Sequence, residues 1–148
     1  MKEKILVVDD DKLVRDSLQS LIANAGYVVD VAKSGEEAES KSALTYYNVA
    51  LIDIRLPNAN GIELLERLKE YVPKTRKIIL TGYPDLETAI EAVNKRADGY
   101  LIKPFDPEAL LKVIDDQIRE QGKELKFTQE KVVEYIKSRV KQIEGKKK

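Results

Sequence analysis

Five short apolar runs rich in β-branched residues recur along the first 120 residues, and longer segments with helical spacing separate them. The runs cover residues 5–8, 27–31, 49–52, 77–80 and 99–102. Runs of this length predict β-strands, and their alternation with helices is typical of a parallel sheet. The first, third and fourth runs are continuous rather than alternating, as expected for strands covered by helices on both faces. We therefore predict an α/β fold with a doubly wound five-stranded parallel sheet.

Glycine and proline mark the ends of the predicted helices. Gly26 follows the apolar positions of the first helix and is predicted to be its C′ residue. Gly61 precedes the third helical run, Pro84 opens the fourth, and Pro107 lies near the first position of the fifth. In a sheet of this kind the active crevice lies at the carboxyl ends of the strands. Functional residues are therefore expected directly after the apolar runs.

The residue types that the chain lacks limit the catalytic and metal-binding chemistry that it can perform. It contains 0 cysteines and 0 histidines, which excludes a disulfide scaffold, cysteine or histidine catalysis, thiolate or imidazole metal sites and a phosphohistidine on this chain. No apolar run approaches the roughly 18 to 20 residues of a membrane span, and the first residues are too short a run for a secretory signal. We expect a cytoplasmic protein that uses carboxylates, hydroxyls or lysine.

Complementary polar groups follow four of the predicted strands. Three aspartates at 9–11 follow the first strand, Asp53 the third, Thr81 the fourth and Lys103 the fifth. Clustered carboxylates cost free energy unless a cation compensates them, and an all-oxygen ligand set suits Mg²⁺. The metal and Lys103 can neutralise phosphoryl oxygens, and the Thr81 hydroxyl can donate a hydrogen bond. Asp53 is then the predicted in-line nucleophile.

Each of these residues also has an ordinary structural explanation. Asp11 directly precedes the first helix and is predicted to be its N-cap. Thr81 could cap the helix near Asp85, and Lys103 could be a solvated cation beside a turn proline. A site is favoured because four separate strands each place a complementary group at the same edge.

Four segments together resemble the receiver domains of two-component response regulators, and the resemblance spans roughly residues 3–120. The segments are residues 7–11 (VVDDD), 53–61 (DIRLPNANG), 80–83 (LTGY) and 100–105 (YLIKPF). The resemblance implies a flavodoxin-like receiver fold. It also implies that Asp53 is the phosphoacceptor, that Asp9 and Asp10 position Mg²⁺ together with Asp53, and that Arg55 gives its backbone carbonyl to the metal. Mn²⁺ is the alternative ion.

The same resemblance implies roles for residues around the acidic cluster. Thr81 and Lys103 hold the phosphoryl oxygens, and the Lys103–Pro104 peptide is cis. Tyr100 matches the aromatic switch that turns inward when Thr81 moves toward the phosphoryl group, and the alternative is an ordinary half-buried aromatic. Arg55 and Tyr83 are large and lie two positions beyond Asp53 and Thr81, so we predict that they impede the hydrolytic water and lengthen the life of the phosphorylated state.

The resemblance implies a signalling switch and not a multiple-turnover enzyme. A partner histidine kinase or histidine phosphotransfer protein donates to Asp53, and the new charge changes the surface around the fourth helix and fifth strand. Residues 81–89 are similar to the nitrogen-regulatory class of receivers, yet no phosphate-binding loop or DNA-binding domain is recognisable, so the downstream protein target is unidentified.

Two other classes of protein are alternatives to the signalling switch. A haloacid-dehalogenase-like phosphatase needs a second acid two residues after its nucleophile, where this chain has Arg55. A flavodoxin-like cofactor binder would bring its phosphate against the aspartates at 9–11, which is electrostatically unfavourable.

The end of the chain differs from the rest. Residues 121–148 carry a charge of +5 and leave −5 on residues 1–120. Gly122 is predicted to end the fifth helix, and Thr128 to start an extra amphipathic helix with apolar residues at 133, 136, 140 and 143. We predict a receiver domain at 1–121 and a basic helix with a disordered lysine tail at 122–148. The helix either folds back on the receiver or supports a homodimer or partner contact, and its basic face (Lys131, Lys137, Arg139, Lys141) is assigned to solvent rather than to nucleic acid.

Overall fold

The structure is a computed structural model that describes residues 2–56, 59–82 and 85–146. Three predictions concern residues outside this described part. They are the effect of Tyr83 on the hydrolytic water, the start of a helix at Pro84 and the end of the disordered lysine tail at 147–148. Among the described residues, no helix is long and apolar enough to cross a membrane.

Five parallel strands form the sheet, namely β1 (Lys4–Val8), β2 (Val28–Ala32), β3 (Val49–Asp53), β6 (Arg76–Thr81) and β7 (Gly99–Ile102). Their order across the sheet is β2-β1-β3-β6-β7. The pairs run in register, with Val8 beside Ile52 and Asp53 beside Leu80. The predicted five-stranded parallel sheet is confirmed. Two further strands of two residues each, β4 (Arg55–Leu56) and β5 (Ala59–Asn60), pair antiparallel after Asp53 and were not expected from the sequence.

Helices cover both faces of the sheet, as the doubly wound prediction requires. They are α1 (Lys12–Asn24), α2 (Gly35–Leu44), α3 (Gly61–Arg67), α4 (Leu86–Asn94) and α5 (Pro107–Lys146). Leu18 of α1 and Ile114 of α5 belong to one buried cluster, whereas Leu65 of α3 and Ala92 of α4 belong to the other. The sheet therefore separates two cores, and burial of both faces explains the continuous apolar strands.

The predicted end signals hold for most helices. Asp11 is the N-cap of α1, and its side chain accepts a hydrogen bond from the Leu13 N–H at 2.9 Å. Gly26 follows α1 with a φ of +102°, a conformation that residues with a Cβ rarely adopt. Asp85 caps α4 by accepting the Thr88 N–H at 2.7 Å.

The prediction that Gly122 ends the fifth helix is wrong, because α5 continues without a break to Lys146. A glycine inside a helix costs about 1 kcal/mol, but contacts on both sides of Gly122 hold the helix. Gln121 is buried in a hydrogen-bonded site, and Glu124 pairs with Arg76 at 2.6 Å. The Thr128 hydroxyl donates to the Glu124 carbonyl inside the helix instead of capping a new one. The predicted amphipathic helix is thus the C-terminal part of α5.

Candidate functional site

The candidate site lies at the carboxyl edge of the sheet, where β1 and β3 lie side by side and their helices leave on opposite faces. Asp9 follows β1, Asp53 ends β3, Thr81 ends β6, and Lys103 follows β7. These are the middle and edge strands of one parallel sheet, so all four residues emerge on the same side.

Three carboxylates converge at this edge. Oxygens of Asp9, Asp10 and Asp53 lie within 4.8 Å of one another. Asp9 is 1% exposed and Asp53 8%, whereas Asp10 is exposed. Two nearly buried acids beside an exposed one form a cluster that is open to solvent on one side.

Lys103 supplies the positive charge that faces the two buried acids. Its Nζ lies 2.9 Å from Asp9 Oδ2 and 3.5 Å from Asp53 Oδ2. Burial alone would lower the pKa of Lys103, but the hydrogen bond to Asp9 and the charges of Asp53 and Asp9 outweigh burial, so the pKa is raised. Lys103 is therefore charged and bridges the two carboxylates.

One lysine does not fully compensate the acids. Burial raises the pKa of Asp53 above its ordinary value, the charge of Asp9 raises it further, and Lys103 opposes both effects only in part. The cluster thus retains excess negative charge with oxygen donors aimed at one place. This donor set fits a hard divalent cation such as Mg²⁺, which accepts carboxylate and water ligands.

Backbone and side-chain contacts hold the acids in place. The Asp9 carboxylate accepts the Asp11 N–H at 2.9 Å, and Arg15 Nη1 donates to the Asp9 carbonyl at 2.8 Å. The Arg55 N–H donates to Asp53 Oδ1 at 3.3 Å. Arg15 was not predicted as a site residue from the sequence. Its place in the first turns of a helix that directly follows the acidic run is the only sequence signal for this contact.

Gly61 allows α3 to start close to Asp53. A Cβ added at Gly61 would lie 2.1 Å from the backbone oxygen of Asp53, which no side chain can tolerate. The Gly61 N–H donates to the Ile54 carbonyl at 2.8 Å, and this bond closes the loop after β3. Gly61 was predicted from the sequence only as a helix-end signal, and in the structure it also shapes the site.

Thr81 lies on β6, which is next to β3, and Tyr100 lies on β7, which is next to β6. Thr81 is fully buried at the end of β6, and its carbonyl accepts the Lys103 N–H at 2.6 Å. Tyr100 is partly buried on β7, and its hydroxyl lies 3.3 Å from Oγ1 of Thr88 in α4. Thr88 was not identified from the sequence. The Lys103–Pro104 peptide is cis, as the resemblance implied, and Val72–Pro73 is also cis.

The chain matches the model of the response regulator receiver domain over residues 5–115. The regulatory protein AtoC of Escherichia coli is 34% identical over 119 residues, which cover 80% of this chain and 26% of the relative. The transcriptional regulatory protein ZraR of Klebsiella oxytoca is 40% identical over 106 residues, which cover 72% and 24%. This chain spans only about a quarter of the length of these two relatives.

Solved structures show the same likeness. A receiver domain protein of Methanospirillum hungatei JF-1 superposes with a TM-score of 0.80 at 39% identity, covering 84% of this chain and 99% of that one. The beryllofluoride-activated receiver domain of DrrB superposes with a TM-score of 0.72 at 31% identity, covering 80% and 99%.

Proposed function

The chain belongs to the family of response regulator receiver domains, and on that premise we propose that Asp53 accepts a phosphoryl group from the phosphohistidine of a partner kinase or histidine phosphotransfer protein. The observation that carries the proposal is the position of the Asp53 carboxylate between a lysine and two further carboxylates. A nucleophile in this setting needs a counter-charge for the incoming phosphoryl group, and Lys103 already lies there.

The transfer is a displacement at phosphorus. A carboxylate oxygen of Asp53 attacks, the bond between phosphorus and the donor imidazole nitrogen breaks, and the imidazole leaves with the electron pair. Asp9, Asp10, Asp53 and the Arg55 carbonyl would hold Mg²⁺, or Mn²⁺ as the alternative, which supplies charge neutralisation at the phosphoryl oxygens.

The protein's own groups complete the site. The Lys103 ammonium, now shared between Asp9 and Asp53, would follow the new negative charge, and the Thr81 hydroxyl would donate to a phosphoryl oxygen. Tyr100 would then turn inward as the Thr81 side chain moves, and its hydroxyl would leave Thr88. Because Thr88 lies in α4 and Tyr100 in β7, the surface formed by these two elements would change.

In this proposal the protein is a switch that accepts one phosphoryl group per signalling cycle, and it is not a multiple-turnover enzyme. The partner kinase would take its phosphoryl group from ATP, which is available in the cytoplasm. The cytoplasm is therefore the proposed compartment. The downstream target would recognise the α4 and β7 surface.

The test is phosphorylation of the purified chain with acetyl phosphate, followed by intact mass with and without Mg²⁺. We expect a single phosphoryl adduct that requires Mg²⁺ and that is absent from Asp53→Ala. An adduct of equal yield in Asp53→Ala would contradict the proposal.

A further inference from the structure

The C-terminal part of α5 extends away from the described receiver. We call residues 125–146 the extension. Every residue from 129 to 145 is exposed, and 22 residues of helix span about 33 Å. The side-chain hydrogen bonds recorded for this segment, such as Arg139 to Gln142 at 3.3 Å, join residues of the same helix. The described receiver therefore leaves the extension uncovered.

Polar contacts anchor α5 just before the extension begins. Gln121 is 3% exposed, and its amide nitrogen donates to the carbonyls of Asn48 and Lys74 at 3.0 and 2.8 Å. Its amide oxygen accepts from Asn48 Nδ2 at 2.9 Å. Arg76 holds Glu124 at 2.6 Å one turn later. The folded receiver thus starts the helix and supplies the costly nucleation that a free helix of this length would need.

The extension carries an apolar stripe with coiled-coil spacing. Val133, Ile136, Val140 and Ile143 follow at intervals of three, four and three residues, which are positions a, d, a and d of two heptads. Their side chains are about half exposed, at 49, 54, 46 and 52%. A continuous stripe of large aliphatic side chains in water is stabilised when a second helix covers it.

The flanking charges fit the same segment of a second copy in parallel orientation. In this register Arg139 is at position g and Glu144 at position e, and a parallel dimer places each g residue beside the e residue five positions later in the other helix. Two copies therefore form two identical Arg139–Glu144 pairs. The preceding pair joins Val132 and Lys137, where the lysine stem packs on an apolar residue.

An antiparallel dimer gives a poorer match. It places the g positions of the two helices on one flank, where the charged residues Arg139 and Lys146 repel each other. The e positions share the other flank, and only there do opposite charges, Lys137 and Glu144, occur. We propose that the extension pairs with the extension of a second copy as a parallel two-stranded coiled coil. The pairing uses neither Asp53 nor Mg²⁺, so it goes beyond the proposed switch and is tested independently of it.

The test is sedimentation equilibrium of the full chain over a wide concentration range, with no phosphodonor and no Mg²⁺. We expect a monomer–dimer equilibrium. Arg139→Glu and Glu144→Arg each turn two attractive pairs into repulsive ones, so each should weaken dimerisation about tenfold. The controls are Lys141→Glu and Glu134→Arg, which change the net charge equally at position b and should leave association unchanged.

Mixing the two weakened variants provides the decisive step. Arg139→Glu pairs attractively with Glu144→Arg on both flanks of a parallel heterodimer, so the mixture should recover the affinity of the unchanged protein. Circular dichroism of each variant verifies that α5 is intact. A chain that stays monomeric at every concentration would overturn the proposal, as would a dimer that is indifferent to both charge reversals.

The orientation of the two helices is tested by disulfide cross-linking. Because the chain has 0 cysteines, only the introduced cysteines can form a disulfide. Ile143→Cys places the two sulfurs in one layer of a parallel dimer and should form a disulfide on mild oxidation. If only a mixture of Val133→Cys and Ile143→Cys chains cross-linked, the helices would be antiparallel and the proposal would be wrong.

Discussion

At the scale of single residues, the Asp53 carboxylate is the proposed phosphoacceptor, and its ionisation lowers the free energy of unfolding. Its pKa is raised first by burial and then by the charge of Asp9. A folded-state pKa above the unfolded one means that ionising Asp53 disfavours the folded state. The cost is absent below the unfolded pKa, where the carboxyl is protonated in both states, and it is fully present above the folded pKa. The residue that carries the proposed function therefore lowers the stability of the metal-free protein at neutral pH.

Asp53→Asn should raise the melting temperature of the metal-free protein at pH 7. Each 1 kcal/mol gained in the free energy of unfolding would raise the melting temperature by about 2 to 4 °C in a protein of this size. The gain should shrink as the pH falls toward about 4, because the native carboxyl then becomes neutral as well. Thermal unfolding monitored by circular dichroism across this range tests the prediction. A variant that is less stable than the unchanged protein at pH 7 would show that the Lys103 contact outweighs burial.

Gly61→Ala should destabilise the protein by at least about 2 kcal/mol, because its Cβ would overlap the Asp53 carbonyl and backbone must move to admit it. Gly145→Ala is the matched control, since a Cβ there meets nothing within 4 Å. Urea unfolding of both variants measures the difference. Equal midpoints for Gly61→Ala and the unchanged protein would mean that the loop after β3 adjusts freely.

Arg55→Gly should shorten the life of the phosphorylated state. The Arg55 side chain is exposed two residues after Asp53, where it would obstruct the water that attacks the phosphoryl group. The decay of the adduct after removal of the phosphodonor, followed by intact mass, gives the lifetime. Arg67→Gly, on an exposed position of α3, controls for loss of a surface arginine. An unchanged lifetime in Arg55→Gly, or a lifetime of seconds in the unchanged protein, would contradict the prediction.

At the scale of elements, the sequence predicts strands and helix starts well but misplaces the end of α5. Asp11 and Asp85 cap the helices that follow them, because capping is local and depends on one side chain. Gly122 is an ordinary end signal, yet Gln121 and Glu124 contact Asn48, Lys74 and Arg76, which lie 45 or more positions away in the chain. Contacts of that sequence separation outweigh a local preference and leave no periodic signal.

Gln121→Ala should therefore destabilise α5 beyond its own turn. The change removes the Gln121 donor from the Lys74 carbonyl and one of two donors from the Asn48 carbonyl, which still accepts the Arg76 N–H, and the loss costs about 1 to 3 kcal/mol. Hydrogen exchange should show faster opening of the extension in Gln121→Ala and no change in Gln142→Ala, which removes an exposed amide from the same helix. Equal exchange in the two variants would mean that the anchor does not support the extension.

At the scale of the whole molecule, the predictable part of the site is set by topology. A parallel sheet gathers strand ends, so Asp9, Asp53, Thr81 and Lys103 could be assigned to one edge from their positions alone. The distances could not be predicted in the same way. The bond from Arg15 to the Asp9 carbonyl and the approach of Tyr100 to Thr88 depend on how α1 and α4 pack against the sheet. Packing angles follow from the whole core rather than from any motif.

The two parts of the chain carry opposite net charges, and each charge suits a different proposed role. Residues 1–120 carry −5 and include the acidic cluster, whereas residues 121–148 carry +5 and include the exposed helical segment 129–145. The first part fits a divalent cation and a phosphoryl group, and the second presents an apolar stripe with matched flanking charges. The two tasks are joined by one continuous helix, α5.

The most direct test of the central claim is to locate the phosphoryl group. The phosphorylated chain is reduced with borohydride, which converts a phosphoaspartate to homoserine, and tandem mass spectrometry then finds the altered residue. The account predicts homoserine at position 53, only when Mg²⁺ was present during phosphorylation. Modification at Asp9 or Asp10 with Asp53 unaltered would contradict it.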